Sequence, residues 1–271
     1  IVSSRNEITG RGRSMRHYKR PLTIGRANLD YRLNNHHSLN LNYLLSRIGN
    51  DRYDEADTDF EASNDILAKH VTGFSYNQSL LEEKMSNTFF VKNYINHLNI
   101  RQTDLSSITG SKDVKGTITK KYWGYGIGSR YTAIEPLSIK ISYEHSVRLP
   151  LARELLGNGT TIYANVALKP ESSDNINLGI FGTWHPAPGH TLYYEANGFL
   201  RYVDDYIQAT VETKEGMMQY KNVPAVHIKG IEGEVRYDWQ SKLQLATNVS
   251  FQEARDQNRY KTDGKPSATY N

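Results

Sequence analysis

The chain has 271 residues, no cysteine and a net charge of +4, which excludes disulfides and thiolate metal sites and gives no sign of nucleic-acid binding. Its mean hydropathy of −0.65 is low, yet 19 Tyr, 7 Phe and 3 Trp are too many aromatic residues for a disordered chain. No apolar run approaches the roughly 20 residues of a transmembrane helix, and residues 1–20 lack the apolar core of a signal peptide.

Apolar and polar residues alternate with a period of two along most of the chain, which predicts β-strands. Every second residue from Leu137 to Tyr143 is apolar, and the residues between them are polar. Helical periodicity is nearly absent, and "ELLG" after Arg153 is expected to form at most one turn. In chain order, the predicted strands are 22–33, 38–48, 66–81, 86–103, 121–133, 137–148, 174–185, 190–207, 226–239 and 242–254.

The connections between these strands alternate between short and long. Short turns are predicted at 34–37, 82–84, 134–136, 186–189 and 240–241, and long loops at 49–65, 104–120, 149–173, 208–225 and from 256 onward. All tight turns then lie at one end of an up-and-down sheet and all long loops at the other, which is typical of outer-membrane barrels. A sheet in lipid must close on itself, because an open edge would leave backbone groups unpaired.

The sequence therefore predicts an all-β fold, an antiparallel transmembrane β-barrel segment with short periplasmic turns and long extracellular loops. Its apolar face would meet lipid, with Trp184, Tyr237 and Trp239 as an aromatic girdle next to the short turns. Its polar face, including Glu232, Glu234, Arg236 and Asp238, would line the lumen. A soluble β-sandwich is the alternative fold, since alternation alone also suits one, but it does not explain the sorting of loops by length.

Two stretches resemble the late barrel region of TonB-dependent outer-membrane receptors, particularly those of Bacteroidetes. They read "YEHSVRLPLARELLGNG" and "NVALKPESSDNINLGI", and "FLRYVDDYIQ", "QYKNVPAVHIKGIEGEV" and "FQEARDQNRY" follow in the expected order. The resemblance is carried by residues 143–271; before that it is only architectural. Val166 stands where the family's Asn-Pro-x-Leu-Lys-Pro-Glu box usually has its first Pro.

The resemblance implies a barrel of about 22 strands whose lumen is closed by an N-terminal plug domain. Residues 1–271 would then be a partial barrel of about ten strands, with the plug and the terminal strands outside this chain. The implied function is import of a scarce nutrient, such as a siderophore, cobalamin or an oligosaccharide, across the outer membrane of a Gram-negative bacterium. A passive porin or an adhesin-like barrel without energy coupling remains the alternative function. The implied partners are outer-membrane lipid and lipopolysaccharide, the protein's own plug, TonB through the N-terminal part, and a small nutrient ligand.

The loop at 149–173 is the candidate ligand-binding segment. Pro150 and Pro170 end the flanking strands, because proline cannot donate a hydrogen bond to a ladder. Lys169 and Glu171 are placed to pin the base of the loop, so a rigid loop anchor is the preferred interpretation of this region. Loop position and side-chain chemistry also give five candidate ligand contacts: Arg148, Arg153, Asn158, Thr160 and Tyr163.

Other polar groups give weaker signals. The nine histidines are expected to be dispersed, and haem ligation is not expected, because residues 149–170 contain no histidine. The seven carboxylates between Asp51 and Asp65 suit a solvated loop better than a calcium site. A minority hypothesis assigns the basic residues Arg11, Arg13, Arg16, Lys19 and Arg20 to lipopolysaccharide phosphates. No grouping of nucleophile, base and acid is present, so neither an enzyme nor a cofactor or metal site is predicted.

Overall fold

Fifteen strands and one short helix make up the computed structural model, which describes residues 2–9, 12–54, 63–100, 103–104, 112–113, 116–157, 162–211 and 218–257. No helix of these residues is long and apolar enough to cross a membrane. The elements are β1 (Val2–Thr9), β2 (Gly12–Lys19), β3 (Leu22–Asn34), β4 (His37–Asp54), β5 (Ser63–Leu80), β6 (Met85–Ile100), β7 (Thr103–Asp104), β8 (Lys112–Asp113), β9 (Gly116–Ile134), β10 (Leu137–Arg148), α1 (Ala152–Leu156), β11 (Ile162–Tyr163), β12 (Glu171–Trp184), β13 (His190–Val211), β14 (Met218–Trp239) and β15 (Leu243–Asp256).

One large sheet contains all strands except the β7–β8 pair. From β4 onward its long strands pair antiparallel in chain order, through β5, β6, β9, β10, β12, β13 and β14 to β15. At the other side, β3 pairs with residues 37–48 of β4, and β2 continues that pairing along residues 51–54. The short strand β11 lies parallel to the start of β14. The sheet is therefore the up-and-down wall that the sequence predicts.

The ten predicted strands are confirmed as β3–β6, β9, β10 and β12–β15, and the short turns lie where they were expected. The hairpin of β1 and β2 was not predicted. The long loops are also shorter than predicted, since β13 runs to Val211 and β14 begins at Met218, both inside the expected 208–225 loop. Beyond the membrane both faces of a hairpin meet water, so the backbone ladder continues without the alternation that reveals it in the sequence.

One face of the sheet is apolar and exposed. Exposure of this face distinguishes a barrel wall from a β-sandwich, in which a second layer would bury it. No second layer of the described residues covers Ile139, Ile141, Val235 and Leu245, which are 39–57% exposed. Trp184 and Trp239 are also exposed next to the short turns. We call this the outward face; Leu29, Tyr31, Phe74, Phe89, Trp123, Leu178, Ile231 and Phe251 are further large apolar residues that it leaves exposed.

The opposite face is polar and carries the residues predicted for the lumen. Glu232, Glu234 and Arg236 alternate along β14 with the outward Ile231 and Val235. An apolar cluster interrupts this polar face only at the end that carries the long loops. Its members are Leu67, Leu98, Ile100, Leu155, Leu156, Leu168 and Ile207, all less than 9% exposed. The compact core of the described chain therefore lies at the end of the sheet that carries the long loops, which we call the mouth.

Candidate functional site

The described parts of the segment between β10 and β12, residues 149–157 and 162–170, fold inward over this apolar cluster; we call residues 149–170 the mouth segment. Leu155 and Leu156 of α1 pack with Leu67 of β5 and Leu98 of β6. In β5 the outward positions are those of Phe74 and every second residue from it, so Leu67 points to the inner side. The mouth segment therefore covers the lumen side of the wall instead of projecting away from the barrel.

Arg148 clamps the two ends of the mouth segment together. Its Nε and Nη2 donate to the two oxygens of Glu171, at 2.7 and 3.0 Å, and its Nη1 lies 3.2 Å from both oxygens of Glu154. The carboxylates have second partners: the backbone N–H of Leu151 donates to Glu154, and that of Ile207 donates to Glu171, each at 2.7 Å. The predicted pinning of the loop base by Glu171 is confirmed, and α1 is held by the same guanidinium.

Two cations of this region lie outside the part of the strands that crosses a membrane. About 9–11 residues span the bilayer, and counting from the short turns places Arg148 and Lys69 just beyond that length. Burial lowers the pKa of Arg148, but hydrogen bonds and charges from Glu171 and Glu154 more than offset burial, so its pKa is raised. Burial is also the main cause that lowers the pKa of Lys69 to about 8, against an opposing effect of Glu154 and with a further lowering by Arg148.

Other polar contacts attach the mouth segment to both sides of the wall. On one side, the Lys69 Nζ donates to the carbonyl of Pro150 at 2.5 Å, and Arg20 donates to the carbonyl of Gly157 at 2.9 Å. On the side of β14, the Gln219 side chain donates to the carbonyl of Ala164 at 2.9 Å. Asn165 also donates to the Tyr220 carbonyl, and Asn222 exchanges hydrogen bonds with the backbone of Lys169. The segment is thus a cross-link over the mouth and not a free loop.

The five predicted ligand residues divide into three groups. Arg148 lies within the clamp and keeps 40% of its side chain exposed. Arg153 lies on the exposed face of α1, and half-buried Tyr163 lies in β11 opposite Gln219. Asn158 and Thr160 lie outside the described residues. The structure therefore brings Arg148 and Arg153 to the clamped base of the mouth segment and places Tyr163 beside β14.

The lumen face carries a polar recess of about 740 Å³ in the half of the sheet nearer the short turns. Lys140 lies 2.5 Å from a carboxylate oxygen of Glu195, and Asn197 donates to the same oxygen at 2.9 Å. Glu232 and Asn177 line the recess beside them. This arrangement offers hydrogen-bond donors and acceptors and both signs of charge. No group of three or more His, Asp or Glu side chains suited to a metal occurs in the described part of the chain.

Several site residues were not found from the sequence, notably Glu154, Lys69 and Arg20. Glu154 follows Leu151 by three residues at the start of a helical turn, the spacing at which a carboxylate bonds back to the first amide. This spacing could have predicted the contact of Glu154 from the sequence. Lys69 and Arg20 meet the mouth segment only through tertiary folding, and their positions follow no local pattern. Arg20 is half-buried in these contacts, while Arg11 and the side chains of Arg13 and Arg16 lie outside the described residues.

The acidic run differs from the expectation of a solvated loop. Strands β4 and β5 extend into it, and Asp65 is completely buried beside the mouth segment. Asp51 is half-buried in β4. The carboxylates between residues 55 and 62 lie outside the described residues. At its described ends, the run is thus part of the wall that supports the mouth.

An outward apolar face, a polar lumen face and alternating turns define the wall of an outer-membrane-type β-barrel. A family model described as "TonB dependent receptor-like, beta-barrel" matches residues 86–270, and the chain belongs to this family. No curated protein matches the sequence.

Solved structures with the same fold include several transporters. The copper transporter OprC is 13% identical with a TM-score of 0.75, over 94% of this chain and 40% of its own. The FrpB iron transporter from Neisseria meningitidis (F5-1 variant) is 14% identical with a TM-score of 0.67, over 95% and 39%. The hemophore receptor HasR of Serratia marcescens, solved with its hemophore HasA and heme, is 15% identical with a TM-score of 0.60, over 88% and 42%. The chain thus spans about 40% of the length of these structures.

Proposed function

We propose that the chain is part of the barrel of an outer-membrane importer that binds a scarce nutrient and takes it up with energy supplied through TonB. Family membership supports the class, and the exposed apolar face supports a location in the outer membrane of a Gram-negative bacterium. The nutrient would be a siderophore, cobalamin, an oligosaccharide or a similar compound. In this proposal the whole protein also contains a plug domain, further barrel strands and the segment that contacts TonB.

The single observation that carries the proposal is the inward position of the mouth segment. A passive pore needs an open lumen, whereas this segment crosses the mouth and is attached to β5 on one side and β14 on the other. Buried apolar contacts of Leu155 and Leu156 hold it there. A narrowed entrance with a fixed polar wall favours capture of a specific ligand over free diffusion of small solutes.

Within this entrance we assign ligand contact to Arg153 and Tyr163, together with Asn158 and Thr160 of the same segment. Arg148 contributes its exposed part and positions the others through the clamp. The lumen residues Glu195 and Glu232 lie below the entrance, where docking of the plug is their proposed role. These assignments rest on the position of the segment and on the chemistry of guanidinium, hydroxyl and amide groups.

Growth and uptake assays test the proposal in two stages. A strain lacking the gene is first screened for candidate nutrients on which it no longer grows. Uptake of that nutrient, in labelled form, is then measured in the strain that carries the gene. We expect uptake to stop when the proton-motive force is dissipated or when TonB is deleted. Uptake that continues unchanged under both treatments would instead establish a passive pore.

Ligand contact is tested separately in the complemented strain. The combined variant Arg153→Ala, Asn158→Ala, Thr160→Ala and Tyr163→Ala is compared with Lys169→Ala, which alters an exposed residue of the same segment. We expect the combined variant to reduce ligand affinity about tenfold or more, because each lost hydrogen bond contributes about 0.5–1.5 kcal/mol. Equal affinity of both variants would exclude this part of the mouth segment as the binding wall.

A further inference from the structure

The lumen face changes its balance of charge along the strands, when residues are counted in each strand from the end at its short turn. Among the first nine residues of β3–β6, β9, β10 and β12–β15, this face carries six cations and six carboxylates. The cations are Arg26, Arg32, Lys92, Arg130, Lys140 and Arg236, and the carboxylates are Asp30, Glu144, Glu195, Glu232, Glu234 and Asp238. The lumen face nearer the short turns is therefore balanced in charge.

Nearer the mouth the balance shifts toward cations. From the tenth to the fifteenth residue, the lumen face of the same strands carries four cations and two carboxylates: Lys69, Lys120, Arg148, Arg201, Glu171 and Asp256. Glu171 is only 12% exposed and is held by Arg148, and Asp256 is half-buried in β15. The charged side chains that stay exposed at this level are Lys120 and Arg201. This level, which we call the lumen cation band, therefore presents positive charge to the lumen.

The two exposed cations of the band have no ion-pair partner in the described part of the chain. Lys120 lies opposite Asn96, which in turn lies opposite Lys69, so these side chains form one row across β5, β6 and β9. Arg201 lies opposite Asn175 of β12. A concave wall of low dielectric concentrates the field of such charges and raises the local concentration of counter-ions. Both cations are thus placed to receive an anion from the lumen.

The mouth segment above the band has the same asymmetry between exposed cations and buried carboxylates. Arg153 is exposed on α1, and Lys169 is 67% exposed at a distance of 3.6 Å from Asp205. Glu154 of α1 is buried in the clamp, and Asp65 of the supporting wall is completely buried. A solute that enters the mouth therefore meets cations on the segment and on the wall beneath it, whereas the carboxylates nearest to them are covered.

We propose that the ligand bound at the mouth is an anion whose ionised carboxylate or phosphate groups are received by Lys120 and Arg201 of the lumen cation band. The inference rests on the proposed function, because it names the chemical class of the nutrient taken up through the same entrance. Ammonium and guanidinium groups form short, charge-assisted hydrogen bonds with such oxygens. A neutral oligosaccharide would leave both cations without a counter-charge. The band therefore favours acidic compounds over neutral ones of similar size.

The test compares two probes that differ in charge, citrate and its neutral trimethyl ester. Binding to the detergent-solubilised protein, purified with all of the chain that the cell produces, is measured by titration calorimetry. We expect citrate to bind about tenfold more tightly or better at low salt, because the ester cannot form charge-assisted contacts. The preference should shrink as the ionic strength rises from about 0.01 to about 0.15 M. Equal affinity of the two probes, or no binding of either, would overturn the proposal.

A matched pair of double variants locates the site. The band variant carries Lys120→Gln and Arg201→Gln. The control carries Arg26→Gln and Arg130→Gln, which remove two exposed cations from the balanced part of the same face. We expect the preference for citrate to fall to about threefold or less in the band variant and to persist in the control.

Equal loss of the preference in both variants, or no loss in either, would refute the assignment to the lumen cation band. The binding measurement involves neither growth nor TonB. Its failure would therefore leave the proposed import intact, whereas uptake that persists without TonB would contradict import and leave the charge preference standing.

Discussion

Replacing Arg148 by Met should loosen the mouth segment without unfolding the barrel. The substitution leaves the carboxylates of Glu154 and Glu171, only 5% and 12% exposed, without the guanidinium that bridges them. Removing one partner of a fully buried ion pair costs about 3–5 kcal/mol. Because the Arg148 side chain is itself 40% exposed, we expect the lower figure of about 2–3 kcal/mol.

Hydrogen–deuterium exchange measures this loss directly. A decrease of about 2–3 kcal/mol in the free energy of opening accelerates exchange about 30- to 150-fold for amides that exchange through opening of the segment. The amides to follow are those of Leu151 and Ile207, which donate to the two carboxylates. Arg153→Met is the control, since it removes an exposed cation from the same helix. The reasoning would be refuted if both variants exchanged within about threefold of each other.

Three further predictions concern the same wall. The free energy of opening the mouth segment should rise between pH 8 and 10.5, because buried Lys69 has a pKa of about 8 and regains its ordinary value when exposed. Hydrogen–deuterium exchange across this range should show the rise in the original protein and no rise in Lys69→Met. Val235→Lys on the outward face should lower stability in vesicles by about 2–4 kcal/mol, while Glu232→Lys on the lumen face should change it little, as denaturant titration can compare. Gly182→Ala should destabilise the barrel by about 1–3 kcal/mol, because a Cβ there would lie 1.7 Å from the carbonyl oxygen of Pro136 in the turn between β9 and β10. At Gly198 a Cβ would meet open space, so Gly198→Ala should be neutral in the same titration.

The sequence was informative wherever lipid constrains it. Apolar residues such as Ile139 and Ile141 must alternate with polar ones inside the membrane, so strands, faces and short turns were all predictable. Above the membrane that constraint ends. The extension of β13 to Val211 and the hairpin of β1 and β2 were missed for this reason.

The site was predictable only in its local part. Pinning of the loop base by Glu171 follows from neighbouring residues and was expected. The inward fold of the mouth segment depends on contacts of Leu155 with Leu67 and of Lys69 with Pro150, which no pattern along the chain reveals.

The attachments of the mouth segment set an order for assembly of the barrel. Neighbouring strands of the wall are joined by a short turn or by a single loop, whereas Arg20 and Gly157 are separated by 137 residues, and Lys69 and Pro150 by 81. Closing such long intervals before the strands have paired carries a large entropic penalty. We therefore expect the entrance to be completed last, so that a half-assembled barrel has a wide pore. Pulse labelling during refolding into vesicles should find the Leu151 amide among the slowest to gain protection, and early protection there would contradict this order.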